Sequence, residues 1–114
     1  MKSVFLNAIN GWIQSIKERN MKIHIIFAVI ILIICIYLDM NQTELCLIYS
    51  AICMVLISEM LNTSIEGLCD LIDKNYNKSI EKIKDVSAGA VLLSVVYSLF
   101  IGYNIIFLKI IGVK

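Results

Sequence analysis

Residues 21–38 read MKIHIIFAVIILIICIYL, a run with almost no polar position after its first turn. A run of about 20 apolar residues is what a helix needs to cross the hydrocarbon core. A second helix is predicted from Leu45 to Ile72. Its first half, Leu45–Ser58, is apolar nearly all round; from Glu59 onward polar residues fall on one side and Leu61, Ile65, Leu68, Cys69 and Ile72 on the other. A third span is predicted from about 86 to 111, and at ~1.5 Å per residue its ~39 Å exceeds a ~30 Å hydrocarbon core. Upstream, residues 2–19 have a different pattern. Val4, Phe5, Ala8, Ile9, Trp12, Ile13 and Ile16 recur at helical spacing, with Asn7, Asn10, Gln14 and Lys17 opposite. Such a helix is suited to lying on a membrane surface, with Trp12 at headgroup level. The pattern thus predicts an all-α membrane protein, an N-terminal amphipathic surface helix plus three transmembrane helices, forming one membrane-embedded domain over residues 1–114.

The connections set an orientation. Lys2, Lys17, Arg19 and Lys22 flank the first span at its start, and Lys74, Lys78, Lys82 and Lys84 fill the second loop. The first loop, Asp39–Glu44, has neither Lys nor Arg. The excess of basic residues on cytoplasmic loops places the N-terminus and the second loop in the cytoplasm. Lys22 and His24, at the start of the first span, are expected to reach the headgroups, and Tyr37 marks the far interface.

Composition supports the membrane reading. The chain is 60% hydrophobic and 17% charged, and its mean hydropathy of +0.87 leaves too little polar sequence to clothe a small soluble core. A net charge of +1 provides no basic field for nucleic acid. Heavy use of Ile, Lys and Asn hints at an AT-rich genome such as that of a low-GC bacterium, and the expected location is the bacterial cell membrane. Cys35, Cys46, Cys53 and Cys69 sit in apolar runs without a CxxC, so they read as packing residues. The N-terminus lacks the apolar core and small-residue cleavage site of a secretory signal. No phosphate-binding glycine loop, zinc-protease helix or nucleophile elbow is present.

The second helix holds the candidate chemistry. At ~100° per residue, Glu66 falls ~20° to one side of Glu59 and Asp70 ~20° to the other, with Asp73, Thr63 and Asn62 within ~60°. From Glu44 to Glu59 the helix rises ~22 Å, which puts Glu59 near the inner hydrocarbon boundary and Glu66 to Asp73 at or beyond the interface. A lone intramembrane carboxylate can simply pair with a lysine or orient a helix contact. Two carboxylates and an amide on one face suit a divalent cation or an acid–base site.

The stretch Glu59-Met-Leu-Asn-Thr-Ser-Ile-Glu66, followed by Asp70 and then by Lys84-Asp85-Val-Ser-Ala-Gly-Ala-Val91, closely resembles the signature of the prokaryotic diacylglycerol kinase family. That family includes the undecaprenol kinases, and Glu18-Arg-Asn-Met-Lys-Ile-His24 is similar to its Gram-positive branch. The resemblance covers the chain from about Phe5 to the C-terminus. It implies an ATP- and Mg²⁺-dependent lipid kinase, a homotrimer with active sites between subunits. By position, it implies Glu59 as catalytic base and Glu18 and Glu66 as holders of the nucleotide-bound metal. Asn62, Asn75, Tyr76, Asn77, Lys84 and Asp85 would complete the nucleotide site. Asn77 stands where the family commonly has histidine, Ser58 and Ser64 replace alanines, and the spacing from Gly11 to Glu18 is one residue short. The expected acceptor is a membrane lipid alcohol, undecaprenol before diacylglycerol. Two other classes compete. A proton-coupled transporter would explain one intramembrane Glu, though such small transporters have four spans. A pore-forming oligomer would leave Lys84-Asp85 without a role.

Overall fold

A computed structural model of the chain describes residues 3–112. Lys2 and Lys114, and residue 2 as the expected start of the surface helix, lie outside the described residues. Four helices account for nearly all of the described chain: α1 (Val4–Ile16), α2 (Arg19–Tyr37), α3 (Gln42–Ile72) and α4 (Lys78–Gly102). The rod of α4 continues through a π-helical turn, Tyr103–Phe107, into a last turn, Leu108–Ile110. Three of these rods are long and apolar enough to cross a membrane: Arg19–Tyr37, Gln42–Ile72 and Lys78–Ile110.

Ser3 starts α1, its hydroxyl accepting from the Leu6 N–H at 3.1 Å. The helix ends at Ile16, short of residue 19, because the Lys17 and Glu18 N–H groups reach back only three residues, to Gln14 and Ser15. That tightened turn satisfies the last carbonyls. Glu18 is then free to serve as the N-cap of α2. The apolar side of α1 finds little cover in the chain itself; Phe5 and Trp12 are exposed, as on a helix that lies on lipid.

Between α2 and α3 the chain turns through Asp39, whose φ of 53° is left-handed. Aspartate is among the few side chains that tolerate that conformation. Asn41 and Glu44 then form a capping box: the Asn41 side chain accepts from the Glu44 N–H at 2.9 Å, and the Glu44 carboxylate accepts from the Asn41 N–H at 3.0 Å. This cap lets α3 begin at Gln42 and not at 45. Lys109, at the end of the α4 rod, donates to Glu44 at 2.7 Å and tethers that rod to the same turn. Asn41→Ala is expected to lower stability by ~1 kcal/mol, read as a lower midpoint of thermal unfolding in detergent. An unchanged midpoint would remove the cap from this account.

The larger difference lies at the start of α4. The lysine-rich stretch 78–85, expected to be mostly connection, forms the first two turns of the helix. Asn77 makes this possible: its Oδ1 accepts from Ser79 at 2.9 Å and Ile80 at 3.3 Å. Lysine and glutamate are good helix formers, so charge alone did not mark a loop. The connection shrinks to residues 73–77.

α3 and α4 make the most extensive helix contact. Small side chains allow their backbones to approach; Ser87 and Ser94 are buried, and the Ser98 hydroxyl donates to the Ala51 carbonyl across the pair at 3.1 Å. α2 packs on α3 around Cys35, Ile48 and Ile106, toward the end that holds Asp39. Elsewhere large apolar residues such as Phe27, Leu92 and Phe100 are exposed, which is expected where lipid tails are the solvent. All four cysteines are free, and Cys35 and Cys69 are buried in packing roles.

Candidate functional site

The acidic face of α3 does not stay on one surface once the helices pack. Glu59 and Asn62 turn into the helix bundle, with 3% and 6% of their surfaces exposed. Glu66 is exposed one turn further along, and Asp70 faces α4. Asp73 ends the helix as its C-cap, and its Oδ1 accepts from the Asn75 N–H at 2.9 Å. The depth order along the helix axis is therefore accompanied by a gradient of exposure, from a buried carboxylate to wet ones.

Glu59 meets one ionisable partner among the described residues. The His24 Nε2 lies 3.5 Å from its Oε2. His24 is therefore turned inward, not out to the headgroups, and Glu59 pairs with an imidazole instead of a lysine. One turn on, the Asn62 amide donates from Nδ2 to Glu66 Oε1 at 2.7 Å. This is an i,i+4 contact that fixes how both side chains point. It also leaves Asn62 Oδ1 buried without a partner. A buried amide oxygen without a donor costs free energy unless a water, an ion or a ligand supplies the missing partner.

Lys84 is placed by the first turns of α4 opposite Asp70, 3.1 Å from its Oδ1. This end of α4 projects beyond the apolar stretch of the rod. The hydrogen bond to Asp70 holds the Lys84 ammonium above the usual lysine range, outweighing its partial desolvation. Asp85 is exposed beside it. Asn75 and Tyr76 lie in the exposed connection, and Asn77 uses its side chain to cap α4. Glu18 is exposed, and its carboxylate makes no capping bond at the start of α2.

The expected site residues thus fall into two kinds. The helical packing brings Asn62 to Glu66 and carries Lys84 to the same end of α3. Among the described residues, no hydrogen bond or ion pair ties Glu18, Asn75, Tyr76 or Asp85 side chains into that group. Nor do three or more His, Cys, Asp or Glu side chains gather as a metal cluster there. Sequence reasoning assigned no site role to His24 or to Asp70 as the partner of Lys84. The signal for His24 was available: it is the one histidine of the chain, in the first turns of an apolar span.

An apolar groove of about 660 Å³ lies between α2, α3 and the α4 rod. Phe27, Ile31, Val55, Leu99 and Phe107 border it, and His24 stands at the end nearest Glu59. Tyr103 and Phe107, stacked with centroids 5.1 Å apart, contribute from the π-helical turn. π turns recur near functional sites because the extra residue shifts the side chains that follow.

The family model for prokaryotic diacylglycerol kinase matches residues 6–106. A diacylglycerol kinase of Synechocystis sp. is 30% identical over 86 residues, covering 75% of this chain and 49% of the relative. The diacylglycerol kinase of Escherichia coli strain K12 is 29% identical over 86 residues, covering 75% of this chain and 68% of the relative. That of Shigella flexneri matches to the same extent. The matched segment thus spans about half the length of the first of these relatives and about two thirds of the other two.

Proposed function

From the premise that this chain belongs to the prokaryotic diacylglycerol kinase family, as its match over residues 6–106 shows, we propose that it transfers the γ-phosphoryl group of ATP to the hydroxyl of a membrane lipid. The observation that carries this reading is the run of polar groups along α3 and α4: buried Glu59, the Asn62–Glu66 pair, then Lys84. An acceptor that stays in the bilayer meets the buried end of that series. A donor dissolved in the cytosol meets the exposed end, with the N-terminus on the cytoplasmic side by the distribution of lysine and arginine.

Each residue then has a physical task. A lipid hydroxyl is a weak nucleophile, and Glu59 takes its proton as the oxygen forms its bond to the γ-phosphorus. The bond from that phosphorus to the bridging oxygen breaks, and ADP leaves with the electron pair. Charge on the transferring group must be neutralised where it develops, and Lys84 is a cation within reach of the exposed end. Asn62 holds Glu66 in one orientation and keeps a free amide oxygen for the incoming substrates. Glu18 and Glu66, exposed carboxylates with hard oxygen donors, fit Mg²⁺, which takes one or two carboxylates together with phosphate oxygens. Bound there, Mg²⁺ would supply further charge neutralisation on the phosphates. Asn75, Tyr76, Asn77 and Asp85 are assigned to the nucleotide on the same family pattern. In this reading a homotrimer completes the site, since one chain leaves Glu18 and Asp85 apart from the core residues.

Among acceptors, we put undecaprenol first. The Glu18–His24 segment resembles the Gram-positive branch, and the residue usage fits such a genome. Diacylglycerol comes second, on the names of the relatives. Purified protein in mixed micelles with labelled ATP, Mg²⁺ and each lipid decides both questions. Label is expected in the lipid phase with undecaprenol at a higher kcat/KM than with diacylglycerol. The reverse order would reassign the acceptor, and no label in either lipid would overturn the kinase reading.

A further inference from the structure

We propose that His24 is a positioning residue for Glu59: its Nε2–H donates to one carboxylate oxygen and so aims the other at the acceptor hydroxyl. The inference rests on the kinase reading above and extends it to a residue on a different helix. Three observations carry it. Glu59 is buried, and the imidazole 3.5 Å from its Oε2 is its one ionisable neighbour within ion-pair distance among the described residues. His24 also lines the apolar groove, so one side chain touches both that groove and the carboxylate. Finally, α2 and α3 are separate rods joined at the opposite end of the bundle, so nothing local in the chain forces this pairing.

Physically, a buried carboxylate without a donor can rotate about its last torsion, and its two oxygens exchange places. A proton acceptor is effective only when the accepting oxygen lies within hydrogen-bond reach of the hydroxyl. An N–H fixed from the side of α2 removes that freedom. At 3.5 Å the imidazole stands just beyond N–H···O hydrogen-bond length, so the proposed role requires the pair to close by roughly 0.3 Å or more. The role requires an N–H donor and not a positive charge.

This requirement sets the test. His24→Leu keeps the volume and loses the donor; His24→Gln keeps an N–H near the same place. His24→Leu is expected to lower kcat roughly 10- to 100-fold, the scale of a misplaced catalytic group, with KM for MgATP unchanged. His24→Gln is expected to recover most of that loss. Wild-type kcat in His24→Leu, or equal losses in the Leu and Gln variants, would overturn the proposal. A second measurement needs no turnover. Because the chain has a single histidine, the imidazole ¹⁵N spectrum of tag-free protein reports His24 alone. At fixed pH, Glu59→Gln is expected to shift the Nε2 resonance, and Glu81→Gln, on the exposed first turn of α4, to leave it in place. An Nε2 signal indifferent to Glu59→Gln would also overturn the pairing, even if a variant is too unstable to assay. Failure of the wild-type chain to phosphorylate any lipid would instead strike the kinase reading, leaving the spectrum to judge the pairing by itself.

Discussion

Glu59→Gln is expected to lower kcat by roughly 10²- to 10⁴-fold, the usual contribution of a positioned general base, while KM for MgATP changes little. The substitution is nearly isosteric and keeps a hydrogen-bonding oxygen for His24, so packing around the residue is preserved. Because volume and contact are kept, the unfolding midpoint of the variant is expected to stay close to that of the parent chain. These two outcomes together separate base from strut. If Glu59 served only to hold α2 against α3 through His24, glutamine would keep the contact and turnover would survive. Steady-state kinetics in micelles at saturating lipid, set beside nucleotide binding by the same variant, provides the comparison. Full activity in Glu59→Gln would remove it as the base.

The three membrane rods were legible in the sequence because lipid simplifies the problem. In hydrocarbon every backbone group must be satisfied within its own helix, so long apolar runs such as 21–38 can be little else. The surface helix followed from the spacing of Phe5, Ile9, Trp12 and Ile16. Less legible was the start of α4. Lys78, Lys82 and Lys84 read as a loop by charge, yet the Asn77 cap and the helix propensity of lysine and glutamate make that stretch helical. That change matters for the site, because a helical Lys84 is carried to Asp70 at 3.1 Å on a rigid element. The acidic face of α3 was visible by angle, but angle along one helix cannot say which residues a neighbour will cover. Burial of Glu59 and Asn62, and exposure of Glu66, depend on how α2 and α4 flank α3. For the same reason His24 was expected at the headgroups: its depth could be read, its direction could not. Individual chemical roles rest on the family pattern and not on spacing.

Lys84→Met is expected to lower kcat by roughly 10²- to 10³-fold, comparable to deleting one donor from a preorganised charge-stabilising site. Asp70→Asn is expected to change kcat by less than about threefold, because an exposed, salt-screened ion pair contributes little. The contrast follows from geometry. Lys84 is half-buried and Asp70 exposed at the end of α3, so their pair is open to water and screened by salt. The Asp70 carboxylate holds the ammonium at 3.1 Å. A nucleotide phosphate carries more negative charge than one carboxylate and can draw the same ammonium away, since the lysine stem is long and flexible. Lys84→Arg should recover part of the loss: it restores the charge, but a planar guanidinium cannot reproduce a point contact with the transferring group. The competing account makes Lys84–Asp70 a brace between α3 and α4. A brace loses the same amount whichever end is cut, so equal losses in Lys84→Met and Asp70→Asn, with matching drops in unfolding midpoint, would assign Lys84 to structure.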